Sequence, residues 1–109
     1  MKIELYIDGE KRLFMTPYVP QLAKRKYLEI TAKTEEKAKQ QGDSYSPSAQ
    51  DQLDEEDEMV GILANIVFGG QFTVEQVYLG ASDKYVYEKL AEAVFGKKKE
   101  NDEGNVKGE

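Results

Sequence analysis

The sequence predicts a small α+β domain, mainly helical, in which an amino-terminal β-hairpin packs on three to four α-helices. Two short alternating segments, several stretches with apolar residues at helical spacing, and the glycines and prolines between them support this fold class. With 109 residues, 39% apolar and 33% charged, the chain is long enough for one domain with a modest core. We therefore expect a single globular domain over residues 1–96 and a disordered, polar tail over residues 97–109.

Residues 2–16 are predicted to form the hairpin, because polar and apolar residues alternate on both sides of an Asp-Gly turn signal. A three-residue loop, Asp8–Glu10, places Leu5 opposite Leu13 and gathers the aliphatic side chains on one face. A two-residue loop would instead set Leu5 against Arg12. We therefore expect the three-residue loop.

Four helices are predicted, over about residues 21–39, 49–68, 74–79 and 83–95. The first contains strong helix formers but few apolar residues beyond Ile30, so its carboxyl half is expected to be exposed, frayed or held by a partner. The second begins with carboxylates, which suit a helix amino end, and continues as a nearly apolar segment expected at the centre of the domain. Thr73 and Gln76 have the spacing of a capping box, and Ser82 is expected to cap the last helix. Gly80 is expected to end the third helix in a left-handed conformation.

The residue types that the sequence lacks exclude several functions. Without His and Cys, the chain has neither the usual general base near neutral pH nor a thiolate nucleophile, and it lacks the commonest zinc ligands. We expect no enzyme activity, no catalytic residue, no cofactor and no metal site. The net charge of -6 disfavours nucleic acid, and no apolar run approaches the ~20 residues of a membrane span. A soluble intracellular protein without nucleic-acid or membrane partners is therefore expected.

Two charged stretches allow more than one interpretation. The acidic run Asp51–Glu58 is interpreted as a solvated helix start, with a docking face for a basic partner and a weak cation site as alternatives. It lacks the glycine that a calcium loop needs in register. The lysine-rich first helix is interpreted as a solvated face whose glutamates dilute its charge. Contact with phosphate, or pairing with the acidic helix of a second subunit, stays open.

The aromatic residues are a further candidate for a binding surface. Seven Tyr and four Phe are many for a domain with a modest core, and tyrosine is favoured at protein interfaces. Most of them are expected in the core or at its edge. The predicted partner-binding residues are Tyr78, Leu79, Tyr87 and Phe95. The chemistry of this chain is therefore expected to be binding.

The segment Ile66–Gly80, IVFGGQFTVEQVYLG, resembles the central signature of the tail assembly chaperones of long-tailed phages and prophages of Gram-positive bacteria. Members of that family carry a sequence motif of the form V-F-G-x-Q-F-T-x-x-x-V-Y-x-G. The opening Met1–Glu10 and the segment Pro17–Pro20 are similar to the family's amino-terminal hairpin and its proline-flanked exit. Together with the spacing between them, the two matches cover most of residues 1–96.

The resemblance implies a role in assembly rather than a reaction. Such chaperones hold the helical tape measure protein soluble while tail tube subunits polymerise around it, and they are absent from the finished virion. The implied location is therefore the host bacterial cytoplasm. The family often makes a longer product by ribosomal frameshifting, for which Lys97–Lys99 is a candidate position. Contact with the tail tube protein through that product, and a homo-oligomer, are further expectations.

Two other classes of function stay open at this point. An acidic regulatory protein that mimics nucleic acid would present Asp51–Glu58 as a phosphate-like strip to a basic host protein. A structural tail or head-completion subunit would remain in the particle, whereas a chaperone would not.

Overall fold

In a computed structural model of the chain, which describes residues 1–42 and 46–96, an antiparallel hairpin packs against helices. The elements are β1 (Lys2–Ile7), β2 (Glu10–Met15), α1 (Gln21–Gln41), α2 (Ala49–Gly61), a π-helical segment (Ile62–Val67) that continues α2, α3 (Val74–Gly80) and α4 (Asp83–Phe95). The predicted fold class, α+β and mainly helical, is confirmed. The predicted tail, residues 97–109, lies outside the described residues. The assignment of residues 1–96 to one domain stays a prediction.

The hairpin has a different register from the predicted one. Leu5 pairs with Arg12, not with Leu13, across a two-residue turn. The turn residues Asp8 and Gly9 have φ angles of 53° and 80°. Positive φ at both positions is the mark of a type I′ turn, whose twist matches that of the flanking strands. The turn geometry therefore decides the register, and the expected three-residue loop is wrong. As a consequence Leu13 lies on the outer face of the hairpin and is exposed.

The core lies between β1, the π-helical segment and the surrounding helices, with α3 packed against β1. The largest fully buried side chains are Phe68, Ile3, Leu5, Ile30, Ile62, Leu63 and Val77. The apolar segment that follows α2 is thus central, as its composition predicts. On β2 the main inward contact comes from Phe14, whose ring centroid lies 4.9 Å from that of Phe72. Strand β1 is therefore the inner strand and β2 the outer one.

The helix ends follow their local capping signals, with one exception. The Thr73 hydroxyl accepts a hydrogen bond from the Gln76 amide at 3.1 Å, and the Gln76 side chain accepts one from the Thr73 amide at 2.9 Å. Ser82 caps α4 as predicted. Gly80 is the exception, because it does not adopt a left-handed conformation. A Cβ at Gly80 would lie 2.5 Å from the carbonyl oxygen of Tyr6, so the close approach of β1 is what requires glycine there.

Ion pairs join α1 and α2 along their exposed edge. Lys33 Nζ lies 3.1 Å from a Glu58 oxygen, and Lys37 Nζ lies 3.3 Å from Asp51 Oδ1. The hydrogen bond from Lys37, followed by that from the Ser48 amide, holds the pKa of Asp51 below its ordinary value. Acidic and basic helices therefore pair within one chain. The carboxyl half of α1 is held by α2 and needs no second subunit for this contact.

Candidate protein-binding surface

An open groove of about 540 Å³ lies between α1, α2 and α4. Its apolar lining comprises Tyr27, Met59, Tyr87, Leu90, Val94 and Phe95. Tyr87 is 50% exposed and Phe95 is 64% exposed. The ring of Phe95 stands edge-on to that of Tyr27, with 5.6 Å between the centroids. An open concave surface with large apolar side chains is the kind of site that takes an amphipathic helix.

Two carboxylates of α2 lie at the same groove. Glu55 and Glu56 both line it, and both are half-buried. Thr34 Oγ1 donates a hydrogen bond to Glu55 Oε1 at 3.3 Å. Within residues 1–42 and 46–96, no ion pair involves either glutamate. Burial chiefly, then the charge of Glu56 and neighbouring carboxylates, raises the pKa of the Tyr87 phenol. The groove is therefore apolar at its base and negative at one side.

A smaller cavity of about 140 Å³ extends this surface toward α3. Tyr78 and Tyr87 both line it, and Glu56 and Met59 belong to both the cavity and the groove. The Tyr78 hydroxyl donates a 2.5 Å hydrogen bond to Asp57 Oδ1. Burial, followed by this hydrogen bond, raises the pKa of Tyr78 far above its ordinary value. The Tyr78 ring, 42% exposed, is thus held in place beside Tyr87.

Leu79 lies on a different surface from the other three predicted binding residues. It is 80% exposed and, with Tyr6, lines a shallow depression between β1 and the start of α4. Tyr78, Tyr87 and Phe95 are connected through the groove and the cavity that continues it. The structure therefore brings together three of the four residues and leaves Leu79 apart. That any of them contacts a partner stays a prediction.

The whole sequence, residues 1–109, matches the sequence model of a family described as "phage tail chaperone protein". The chain belongs to this family. The match confirms the resemblance seen in the sequence and gives the protein a role in phage tail assembly; families of this kind are generally not catalytic. A Gram-positive host stays a prediction. No curated protein and no solved structure matches the chain significantly.

Sequence reasoning missed part of the tail chaperone's groove. Tyr27 has helical spacing to Ala23 and Ile30, which indicates only an apolar helix stripe, but it is half-buried and lines the groove. Glu55 and Glu56 were expected only as parts of a solvated helix start. Glu55 lies four residues and Glu56 three residues before Met59, and this spacing predicts that all three side chains share one helix face. Because Met59 is buried, the helix face that it shares with the two glutamates is partly covered by the rest of the domain.

Two features are absent from the described part of the tail chaperone. Residues 1–42 and 46–96 contain no group of three or more potential metal ligands placed to hold an ion. Across the same residues, no helix has both the length and the apolar character needed to cross a bilayer.

Proposed function

We propose that this tail chaperone binds the tape measure protein of its phage and keeps it soluble until tail tube subunits cover it. The observation that supports this proposal is the groove between α1, α2 and α4, where Tyr87 and Phe95 leave large aromatic areas in water. A long helical client exposes apolar stripes until the tube encloses them, and a groove of this kind buries such stripes reversibly. The net charge of -6 opposes aggregation of the loaded complex.

Co-expression with the tape measure protein of the same phage tests this proposal. The unmodified chain should increase the soluble fraction of the tape measure protein. A Tyr87→Ser, Phe95→Ser double variant should bring that fraction back toward the level without chaperone. Truncating an aromatic side chain that the client covers costs about 1–2 kcal/mol of binding free energy. Leu28→Ser is the matched control, because Leu28 is 51% exposed and lies outside the groove.

Circular dichroism of both variants should show a folded chain, since each changed side chain is largely exposed in the free protein. A tape measure protein that stays insoluble in the presence of the unmodified chain would contradict the proposed function. An equal loss with Leu28→Ser would contradict the groove as the binding surface.

We also propose that the protein acts in the host cytoplasm and leaves before the virion is complete. Mass spectrometry of purified virions tests this directly. Tail tube subunits should be detected and this chain should not. Its presence at a fixed ratio to the tube subunits would favour the alternative of a structural tail or head-completion subunit.

The acidic, nucleic-acid-mimicking alternative has less support from the structure. Glu58 and Asp51 are paired with lysines of α1, and Asp57 accepts the Tyr78 hydroxyl. A phosphate-like strip would need these carboxylates free for a basic protein. Salt-sensitive binding to a DNA-binding host protein, without any effect on the tape measure protein, would reverse this conclusion.

A frameshifted longer product would give the same domain a second segment for contact with the tail tube protein. The candidate frameshift position, Lys97–Lys99, lies outside the described residues. Mass spectrometry of infected cells should detect peptides that cross from this reading frame into the next. Analytical ultracentrifugation of the purified chain should show whether it forms the homo-oligomer that we also propose.

A further inference from the structure

We propose that the groove between α1, α2 and α4 selects an amphipathic helix that carries a lysine or arginine beside its apolar stripe, and that Glu55 and Glu56 bind this cation. The inference rests on the proposed function, since the helices that bind in the groove are those of the tape measure protein. It goes further by stating which helices the groove accepts and which residues discriminate among them.

The walls of the groove indicate that its occupant is a helix. All three walls are helices, whose backbone N–H and C=O groups are largely paired within each helix, so the groove offers an occupant side chains and almost no free backbone groups. An extended segment laid on Tyr87 and Phe95 would leave its own backbone groups facing aromatic rings without hydrogen-bond partners. A helix arrives with those groups already paired, and it can present one apolar stripe to the groove.

The carboxylates indicate that the helix also carries a positive charge. Glu56 is half-buried beside Tyr87 and Met59, and no ion pair within residues 1–42 and 46–96 involves it. An occupant that covers Tyr87 removes more water from this carboxylate. A purely apolar occupant would leave the charge desolvated and unpaired, which disfavours binding. A lysine or arginine next to the apolar stripe replaces the lost water, and it lies near aromatic rings that also attract a cation.

The contrast with other acids of α2 shows why Glu55 and Glu56 are singled out. Asp51 and Glu58 have lysine partners in α1, and Asp57 has the Tyr78 hydroxyl. Glu55 accepts only the uncharged hydroxyl of Thr34 among the side-chain contacts in the described part of the chain. Asp54 accepts the uncharged Gln50 amide and does not line the groove. Both carboxylates that face the groove are therefore among those that, within the described residues, have no cation as partner.

The test uses the full chain and three labelled 18-residue designed peptides as probes. All three peptides have the same leucine stripe at helical spacing, and they differ only at two positions beside the stripe, which are both Lys, both Gln or both Glu. Fluorescence anisotropy should rank their affinities Lys over Gln over Glu. Between neighbouring peptides in this order, the dissociation constant should change by about threefold to fivefold for each partly exposed charge pair that is gained or lost. This difference should shrink at high salt.

Variants of the chain assign the discrimination to the groove. Glu56→Gln should remove most of the preference for the Lys peptide, and Glu56→Lys should reverse the order so that the Glu peptide binds best. Glu88→Gln is the matched control, because it removes the same charge from an exposed position of α4 that does not line the groove. Equal affinities for the three peptides, no binding of any of them, or the same effect from Glu88→Gln would each overturn the proposal.

Co-expression separates this inference from the proposed function. If Glu56→Lys keeps the tape measure protein as soluble as the unmodified chain does, the chaperone role stands and the charge selection is wrong. The unmodified chain could instead leave the tape measure protein insoluble while the peptide affinities follow the expected order. That result would support the charge preference of the groove and contradict the tape measure protein as its client.

Discussion

Replacement of Gly80 by alanine separates helix propensity from tertiary packing, because the two act in opposite directions at this position. Alanine within a helix is favoured over glycine by about 0.8–1 kcal/mol, and Gly80 has no positive φ that would oppose the change. Propensity alone therefore predicts a more stable protein. The structure places the new Cβ 2.5 Å from Tyr6 O, 3.0 Å from Tyr6 N and 3.2 Å from Tyr6 C.

The magnitude follows from the kind of atoms that the new methyl group meets. Backbone atoms of β1 cannot rotate away as a flexible side chain would, so the hairpin or α3 must move as a unit. Overpacking costs typically 1–3 kcal/mol, and a 2.5 Å approach to a backbone oxygen belongs to the upper part of that range, about 2–3 kcal/mol. After subtraction of the helix gain, Gly80→Ala should lower the free energy of unfolding by about 1–2 kcal/mol, which corresponds to a Tm lower by roughly 5–10 °C.

Gly61→Ala is the matched control, since it makes the same chemical change in another helix. The Cβ there would lie 3.5 Å from Asn65 Nδ2, an ordinary contact, and Gly61 has right-handed helical φ and ψ angles. This variant should be more stable than the parent by about 0.5–1 kcal/mol. Urea denaturation followed by far-ultraviolet circular dichroism measures both changes. A Gly80→Ala protein as stable as the parent would refute the packing reasoning, as would equal losses in the two variants.

Three further predictions concern single polar contacts. Tyr85→Phe removes the phenol oxygen that accepts the Glu4 amide at 2.9 Å, and it should cost about 1 kcal/mol in the same urea experiment. Lys37→Gln should raise the pKa of Asp51 toward 3.8, measured by NMR titration of the carboxyl carbon, because the lysine hydrogen bond is the largest cause of its depression. Tyr78 has a raised pKa in the folded state, so the unfolded chain releases its phenol proton first and stability falls as the pH rises above 10. Tyr78→Phe should make that alkaline loss of stability less steep.

The parts of the fold that the sequence predicts correctly depend on short-range chemistry. The pairing of Thr73 with Gln76 involves residues three positions apart, so spacing alone is enough to identify it. The cap at Ser82 is equally local. The apolar run after Met59 indicates a central segment, because it leaves no polar face for solvent.

The hairpin register and the role of Gly80 could not be predicted, because each depends on a competition that sequence patterns do not resolve. At the hairpin, the preferred turn at Asp8 and Gly9 outweighs the alignment of aliphatic residues. At Gly80, the decisive neighbour is Tyr6, which lies 74 positions away in the chain. A close approach between distant segments has no local signature, so the local sequence predicts the commoner left-handed helix end.

The candidate site was predicted in part for a similar reason. Aromatic residues in a small domain indicated surface-exposed rings, and Tyr87 and Phe95 are indeed half or more exposed. Only the tertiary structure shows that Tyr27 meets Phe95 across the groove. Adjacent residues of a short helix also point in different directions, which is why Tyr78 lies beside the groove and Leu79 does not.

The division of charge within α2 explains how one acidic helix can serve both the fold and a binding surface. Asp51 and Glu58 are seven residues apart, which is close to two turns of about 3.6 residues each, so they share the face that meets the lysines of α1. Glu56 is only two residues from Glu58, and the same helical repeat turns it toward α4 and the groove. The total charge of the helix therefore does not describe its function. Neutralising Glu58 should weaken a contact between helices, whereas neutralising Glu56 should change what the groove binds.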